Sequence, residues 1–256
     1  MKKTIFWLVA FLITAGSAVF QMMTGPTYPV RGKVEIAESR IAYKLERSHD
    51  SSSDYEVRIK AQNRDIEGSL IWRRYKTADP WVKIPLKRKD ELLVGSLPAQ
   101  PPAGKLEYRA ILSYQEKEVS LFGENPVIIR FKGPVPAALI YPHIIFMLLA
   151  MFFSTRAGIE ALDPKGNPRK LALWTTGLLI TGGIILGSLV QKLAFGQYWT
   201  GFPVGRDLTD NKTLIAIIGW VVAVIAGGGG RKARWWVFSA SVLLLAIYLI
   251  PHSLLG

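Results

Sequence analysis

Apolar side chains along this chain fall into two patterns. Unbroken runs occupy Ile5–Met23 and most of the stretch from Val135 onward, whereas residues 31–132 alternate apolar and polar positions. A run of about twenty apolar residues predicts a membrane-spanning helix, and period-two alternation predicts half-buried strands. Five spans follow. The first covers Thr4–Met23. The second runs from Val135 to Phe153 and continues as helix to Leu162, where Asp163-Pro164 and Gly166-Asn167-Pro168 stop it. The third is Leu171–Leu193, the fourth Thr213–Gly227 and the fifth Trp235–Ile250. The fourth is short unless the glycines 227–230 extend it.

The alternating stretch yields many short strands. Val34 and Ile36, then Ile41, Tyr43 and Leu45, share a face, as do Val57, Ile59 and Ala61, then Leu70 and Trp72, then Val82, Ile84 and Leu86. Leu106, Tyr108, Ala110 and Leu112 form the longest run, followed by Val119 and Leu121, then Val127, Ile129 and Phe131. Turn clusters at His49–Asp54 and Pro98–Gly104 separate them. Such spacing predicts an all-β sandwich. With Trp72 central and Lys105-Leu106-Glu107-Tyr108 later, the pattern resembles immunoglobulin-like and fibronectin type III modules. The expected organisation is an N-terminal anchor or signal segment (1–24), a β-sandwich (30–133) and a four-helix transmembrane domain (134–256). Pro-rich linkers, Gly25–Pro29 and Gly133–Pro136, flank the sandwich.

Charge sets the orientation. Lys2, Lys3, Arg156, Lys165, Arg169, Lys170, Arg231, Lys232 and Arg234 fall on one side of the five spans. The opposite loop holds Lys192, Arg206 and Lys212, partly balanced by Asp207 and Asp210. The positive-inside bias therefore places the N-terminus in the cytoplasm, and the β domain, loop 194–212 and C-terminus in the periplasm. The basic start Met1-Lys2-Lys3 and the small residues Ala15-Gly16-Ser17 suit a signal peptide, but the apolar run continues to Met23, which favours an uncleaved anchor. The net charge of +13 raises the question of nucleic acid. Lys and Arg outnumber Asp and Glu by five within 30–133 and by eight elsewhere, mostly in connections between spans, with no basic-aromatic soluble cluster. Nucleic acid is set aside on that ground. There is no cysteine, which excludes disulfides, thiolate metal sites and cysteine nucleophiles.

Two histidines carry the sharpest chemical suggestion. His143, in Tyr141-Pro142-His143, and His252, in Ile250-Pro251-His252-Ser253, each follow a proline inside an apolar run. At 1.5 Å per residue His143 lies about 10 Å inward of Pro136. His252 lies about 5 Å from the outer edge of a hydrocarbon core about 30 Å thick. The two depths agree within about one helical turn. Imidazoles from two helices suit haem b or a transition metal. Other polar residues gather toward the same side: Gln191, Lys192, Tyr198, Trp199, Arg206, Asp207, Asp210, Asn211 and Lys212. Histidine beside Asp207 or Asp210 suits proton relay, and intramembrane polar groups also suit a transporter, although no internal repeat is present. Structural roles stand beside these. Each histidine can bond a carbonyl freed by its proline, and Tyr198, Trp199 and Phe202 can form an interfacial belt. Lys192 can snorkel, and Asp207, Thr209 or Asp210 can cap the fourth helix. Gly183 and Gly187 form a GxxxG, and Gly219, Ala223 and Gly227 a small-residue ladder, both helix-packing signals. Nucleophile-elbow, zincin and P-loop motifs are missing, so a catalytic role is not expected.

Taken together, Tyr198-Trp199-Thr200-Gly201-Phe202-Pro203, Asp207-Leu208-Thr209-Asp210-Asn211-Lys212, Ile250-Pro251-His252-Ser253, Pro142-His143 and Ser154-Thr155-Arg156 resemble an uncharacterised family of bacterial inner-membrane proteins. The resemblance covers most of the chain and implies no assigned activity. It also implies histidine at the position of Arg206, so a metal reading lacks one imidazole here. The expectation is a non-catalytic subunit or accessory protein of an envelope redox or transport assembly, bound to membrane lipid and to other membrane or periplasmic proteins. The alternatives are a haem b or metal-binding electron-transfer protein ligated by His143 and His252, and a small-solute transporter.

Overall fold

The computed structural model describes residues 2–226 and 231–250, with the backbone alone at 231–233. The chain divides into two compact units. One comprises residues 1–26, 135–193 and 197–256, and the other residues 27–134 and 194–196.

The first unit is helical. Its elements are α1 (Lys2–Thr24), α2 (Ala137–Leu162), α3 (Arg169–Leu179), a π-helical segment (Ile180–Leu186), α4 (Gly187–Phe195), α5 (Leu208–Ala226) and α6 (Arg231–Leu249). α3, the π segment and α4 run on as one helix. Four helices are long and apolar enough to cross a membrane: Lys2–Thr24, Ala137–Leu162, Arg169–Phe195 and Leu208–Ala226. The apolar part of α6, Arg234–Leu249, is shorter. Four of the five expected spans are thus found at spanning length, while the fifth, expected at Trp235–Ile250, falls in the shorter apolar helix. The fourth helix begins at Leu208 rather than Thr213, because Asp207 starts it from within the loop.

Small residues set the helix contacts, as expected where lipid supplies no hydrophobic drive. A methyl on Gly183 would lie 2.7 Å from the Thr213 methyl of α5, and one on Gly182 would lie 3.0 Å from Phe146 Cβ of α2. Gly219 meets Leu243 of α6, and Ala223 is fully buried, while Gly227 lies outside the described residues. Trp220, Leu179, Met151 and Leu244 fill the centre. Polar bonds hold α6 on α2. The Ser241 hydroxyl donates to the Ser154 carbonyl (2.9 Å), and the Tyr248 hydroxyl to the Met147 carbonyl (2.9 Å). At the C-terminal end of α2 the Arg234 guanidinium donates to the carbonyls of Ala161 (2.7 and 3.0 Å), Asp163 and Pro164 (3.2 Å). These are carbonyls that the helix itself cannot satisfy. α1 packs on α2: Trp7 meets Phe152 and Phe153 at 5.1 and 5.8 Å between ring centres, and Ala10 is fully buried.

The second unit is all β. Its strands are β1 (Val30–Ile36), β2 (Ser39–Leu45), β3 (Ser48–Asp50), β4 (Tyr55–Lys60), β5 (Glu67–Arg74), β6 (Val82–Pro85), β7 (Lys87–Lys89), β8 (Leu92–Leu97), β9 (Lys105–Tyr114), β10 (Lys117–Ser120) and β11 (Val127–Lys132). They form a β1–β2 ribbon, a sheet in the order β4-β8-β7, and a six-stranded sheet in the order β3-β11-β9-β5-β6, with β10 also on β9. Buried residues from all three sheets make one core, including Ile36, Leu45, Ile59, Leu70, Leu97, Tyr108 and Phe131. The Tyr108 hydroxyl reaches through it to the Glu46 carbonyl (2.9 Å), and burial pushes its ionisation well upward. Two strands depart from expectation. His49 lies in β3, which pairs in parallel with β11, where a turn was expected. β8 lacks alternation because Leu93 and Val94 are both buried.

The β1–β2 turn is locally strained. Ala37 and Glu38 bridge Ile36 and Ser39, and both have positive φ, 51° and 56°. A two-residue hairpin turn of this hand favours Asn-Gly, since left-handed backbone costs other residues about 1–2 kcal/mol each. Replacing the pair by Asn-Gly is expected to stabilise the β unit by about 1 kcal/mol, read as a higher urea midpoint of the full chain with an unchanged slope.

Candidate functional site

The loop between α4 and α5 is folded onto the first turn of α5 by its own polar side chains. Asp207 Oδ1 accepts the Thr209 and Asp210 amides (2.8 and 3.1 Å), which is an N-cap. Asp210 lies one turn further and is 6 % exposed. Its Oδ2 accepts three bonds: the Thr200 amide at 2.6 Å, the Thr200 hydroxyl at 3.0 Å and the Gln191 side-chain amide at 3.0 Å. Gln191 also donates to the Thr200 hydroxyl (2.8 Å). Asn211 Oδ1 accepts the Phe202 amide (2.7 Å), and the Asp207 amide donates to the Thr200 carbonyl (2.9 Å). Gly201 sits where a methyl would stand 2.6 Å from Asp210 Cβ, so only glycine lets the loop lie this close.

The other residues of the expected cluster occupy the margins. Trp199 Nε1 donates to the Phe202 carbonyl (3.0 Å). Lys192 Nζ stands 5.3 Å from the centre of the Tyr198 ring. Lys212 is buried, and its ammonium donates to the Ile250 carbonyl (2.8 Å) at the end of α6. Arg206 is exposed. Tyr198, Phe202 and Val204 turn outward and are each more than half exposed, as interfacial side chains do.

His143 occupies a different level. Its Nδ1 lies 2.9 Å from the Gly182 carbonyl in the π segment. A carbonyl only accepts, so Nδ1 carries the proton and Nε2 is the nitrogen left for a ligand or a proton. The Gly182 carbonyl also takes the Gly187 amide, five residues on. His143 thus bonds a carbonyl of the neighbouring helix, not one freed by Pro142 on its own. Gly187 lies against the same ring, since a methyl there would stand 3.5 Å from its Cε1, and Gln191 is one turn, about 6 Å, further along; no hydrogen bond among the described residues links the histidine to the loop cluster. The structure therefore joins Gln191, Asp207, Asp210 and Asn211 with Thr200, and among the described residues does not bond His143 to them. His252 lies outside the described residues. Among the described residues no group of three or more histidines and carboxylates is placed to hold a metal ion.

Two features were not expected. Arg156, read from sequence as a cytoplasmic loop charge, is 3 % exposed within α2. One guanidinium nitrogen meets Glu160 at 2.7 Å, and the group lies 5.2 and 5.1 Å from the Phe6 and Trp7 ring centres. Its Nε and Nη1 have no hydrogen-bond partner among the described residues. Spacing at i and i+4 inside a helical run was the available signal.

The second feature is on the β unit. The outward face of the six-stranded sheet, opposite the core row Leu106, Tyr108 and Ala110, carries Arg73, Lys105, Glu107 and Arg109 in neighbouring registers. Arg73 pairs with Glu107 at 2.5 Å, and the exposed Trp81 ring lies 4.4 Å from the Arg73 guanidinium and 5.6 Å from that of Arg109. Partial burial holds the Lys105 ammonium down to about 8, with the nearby charges of Arg130 on β11 and Lys76 after β5 adding to the effect. Lys105 also faces the Tyr75 ring, 5.4 Å away. Below pH 8 the folded state bears the cost of this charge, and between about 8 and 10.5 the unfolded chain binds more protons, so stability rises with pH. An increase in urea midpoint of the full chain from pH 7.5 to 9, absent in Lys105→Met, is the expected result.

Comparison of the chain with protein-family models, with curated proteins and with solved structures finds no match.

Proposed function

We propose that this chain is a non-catalytic subunit or accessory protein of an envelope redox or transport assembly, seated in the bacterial inner membrane with its β unit in the periplasm. The observation that carries the reading is the use made of the polar loop. Asp207, Asp210, Asn211 and Gln191 direct their hydrogen bonds to the loop and helix that bear them. A catalytic or transport site would keep such groups for a substrate. The distribution of Lys and Arg between short loops supports the orientation, and the outer-loop string supports kinship with the family that the sequence resembles. The packing of Phe6, Trp7 and Ala10 supports retention of α1 as an anchor.

The β unit reads best as an immunoglobulin-like sandwich. Consecutive strands β4 and β5 belong to different sheets, as do β8 and β9, and all sheets share one core. A hydrogen-bonded histidine favours a second reading. His143 holds Nδ1 on a backbone carbonyl, the arrangement that fixes and strengthens an imidazole as a metal or haem ligand through Nε2.

One preparation separates the two. Full-length protein is extracted in mild detergent and examined by visible spectroscopy, metal analysis and quantitative gel. Colourless, metal-free protein with partners in fixed stoichiometry is the expected result. A Soret band that disappears in His143→Ala would replace the accessory reading with the haem one.

A further inference from the structure

We propose that the outward face of the six-stranded sheet, at the end bearing Arg73, Trp81, Lys83, Lys105 and Arg109, is a docking surface for an acidic protein segment. This rests on the accessory reading only in that a partner exists, and it names that partner's chemistry.

Charge is the first argument. Two carboxylates stand at this end: Glu107, which Arg73 takes, and Asp79, which pairs with Arg74 and also feels the Arg73 charge. Arg109 stands beside Arg73 with its Nε buried and without a hydrogen-bond partner among the described residues. Lys83, on β6 opposite Ile71, is exposed, and the charges that act on Lys105 are those of Arg130 and Lys76, both positive. Glu67 and Glu118 belong to the far end of the same face, opposite Ser113. Among the described residues the end around Trp81 therefore carries more positive than negative charge.

Order is the second argument. Trp81 lies against two guanidiniums at once, so the forks of Arg73 and Arg109 are laid along the sheet rather than free in solvent. A guanidinium held flat presents paired N–H groups that match a carboxylate in two-point contact. Ile71 sits between Arg109 and Lys83 in register and supplies apolar area among the charges. Tryptophan and arginine together are the residues that dominate protein–protein contacts. A bilayer surface would instead call for basic side chains standing clear of the fold, and both arginines here are partly buried.

Full-length protein in phosphatidylcholine nanodiscs tests this, with fluorescein-labelled decaglutamate as the probe and anisotropy as the readout. Binding at 50 mM salt is expected to weaken at least tenfold in Arg73→Ala/Arg109→Ala and in Trp81→Ala. It should change less than threefold in Lys87→Ala/Lys89→Ala, which removes equal charge from β7 in another sheet. Arg73→Lys/Arg109→Lys keeps the charge and the fold while removing the forks, and is expected to weaken binding severalfold. Undiminished binding in the face variants, or an equal loss in the β7 control, would overturn the proposal. So would flotation of the nanodiscs with phosphatidylglycerol vesicles that is lost in the face variants, since lipid would then be the occupant. A partner that co-purifies equally with wild type and face variants would sink this surface while leaving the accessory reading in place.

Discussion

Glu160→Ala is expected to destabilise the helical unit by about 3–5 kcal/mol, the usual cost of removing one partner from a buried ion pair. The Arg156 and Glu160 side chains are 4 % and 10 % exposed, so water does little to screen the charge left behind. Arg156 would keep the Phe6 and Trp7 ring faces but lose the Glu160 carboxylate, with Nε and Nη1 already without a hydrogen-bond partner among the described residues. Replacing both members by Met should cost far less, because it removes the desolvation penalty along with the attraction. A double-mutant cycle on the full chain, followed by unfolding in mixed micelles, checks this. If Glu160→Ala and the double Met variant lose the same stability, packing rather than charge is what the pair provides.

Asp210→Ala is expected to cost about 3 kcal/mol and to release the loop from α5. It leaves the Thr200 amide and hydroxyl and the Gln191 amide without their shared acceptor, and bonds to a charged group contribute about 1.5–3 kcal/mol each before compensation by water. Asp207→Ala removes only a cap and should cost about 1 kcal/mol. Hydrogen exchange at the Thr200 and Phe202 amides distinguishes them. Asp210→Ala should speed exchange at Thr200 by tenfold or more, whereas Asp207→Ala should act mainly on the amides of Thr209 and Asp210. Equal exchange at Thr200 in both variants would mean that the loop is held by something other than Asp210.

Most of the helical unit was legible in the sequence because long apolar runs admit few alternatives. The start of α5 was not, since residues 209–212 are polar and the sequence left Asp207, Thr209 and Asp210 as alternative caps, between which the fold chooses Asp207. In the β unit, alternation identified β5, β9 and β11. It failed for β8, where adjacent residues are buried, and for β3, whose three residues Ser48-His49-Asp50 are all polar and join the sheet by backbone pairing and by the His49 ring against Tyr55 and Phe131. The candidate site was legible as a list of polar residues but not as bonds. Composition shows that Asp210, Gln191 and Thr200 are able to hydrogen-bond, while only the fold decides that they choose one another. The same limit hid the surroundings of Arg156, which the sequence offered as a loop charge and which the fold packs against two aromatic rings and Glu160. The basic sheet face escaped notice because its members come from β5, β6 and β9, far apart in sequence.

The guanidinium of Arg234 has a bearing on biosynthesis. It closes the end of a helix made seventy-three residues earlier. Until α6 has left the ribosome, the last carbonyls of α2 lack those donors, and the nascent protein exposes an unfinished terminus. Closure of that terminus is thereby deferred to a late-made segment.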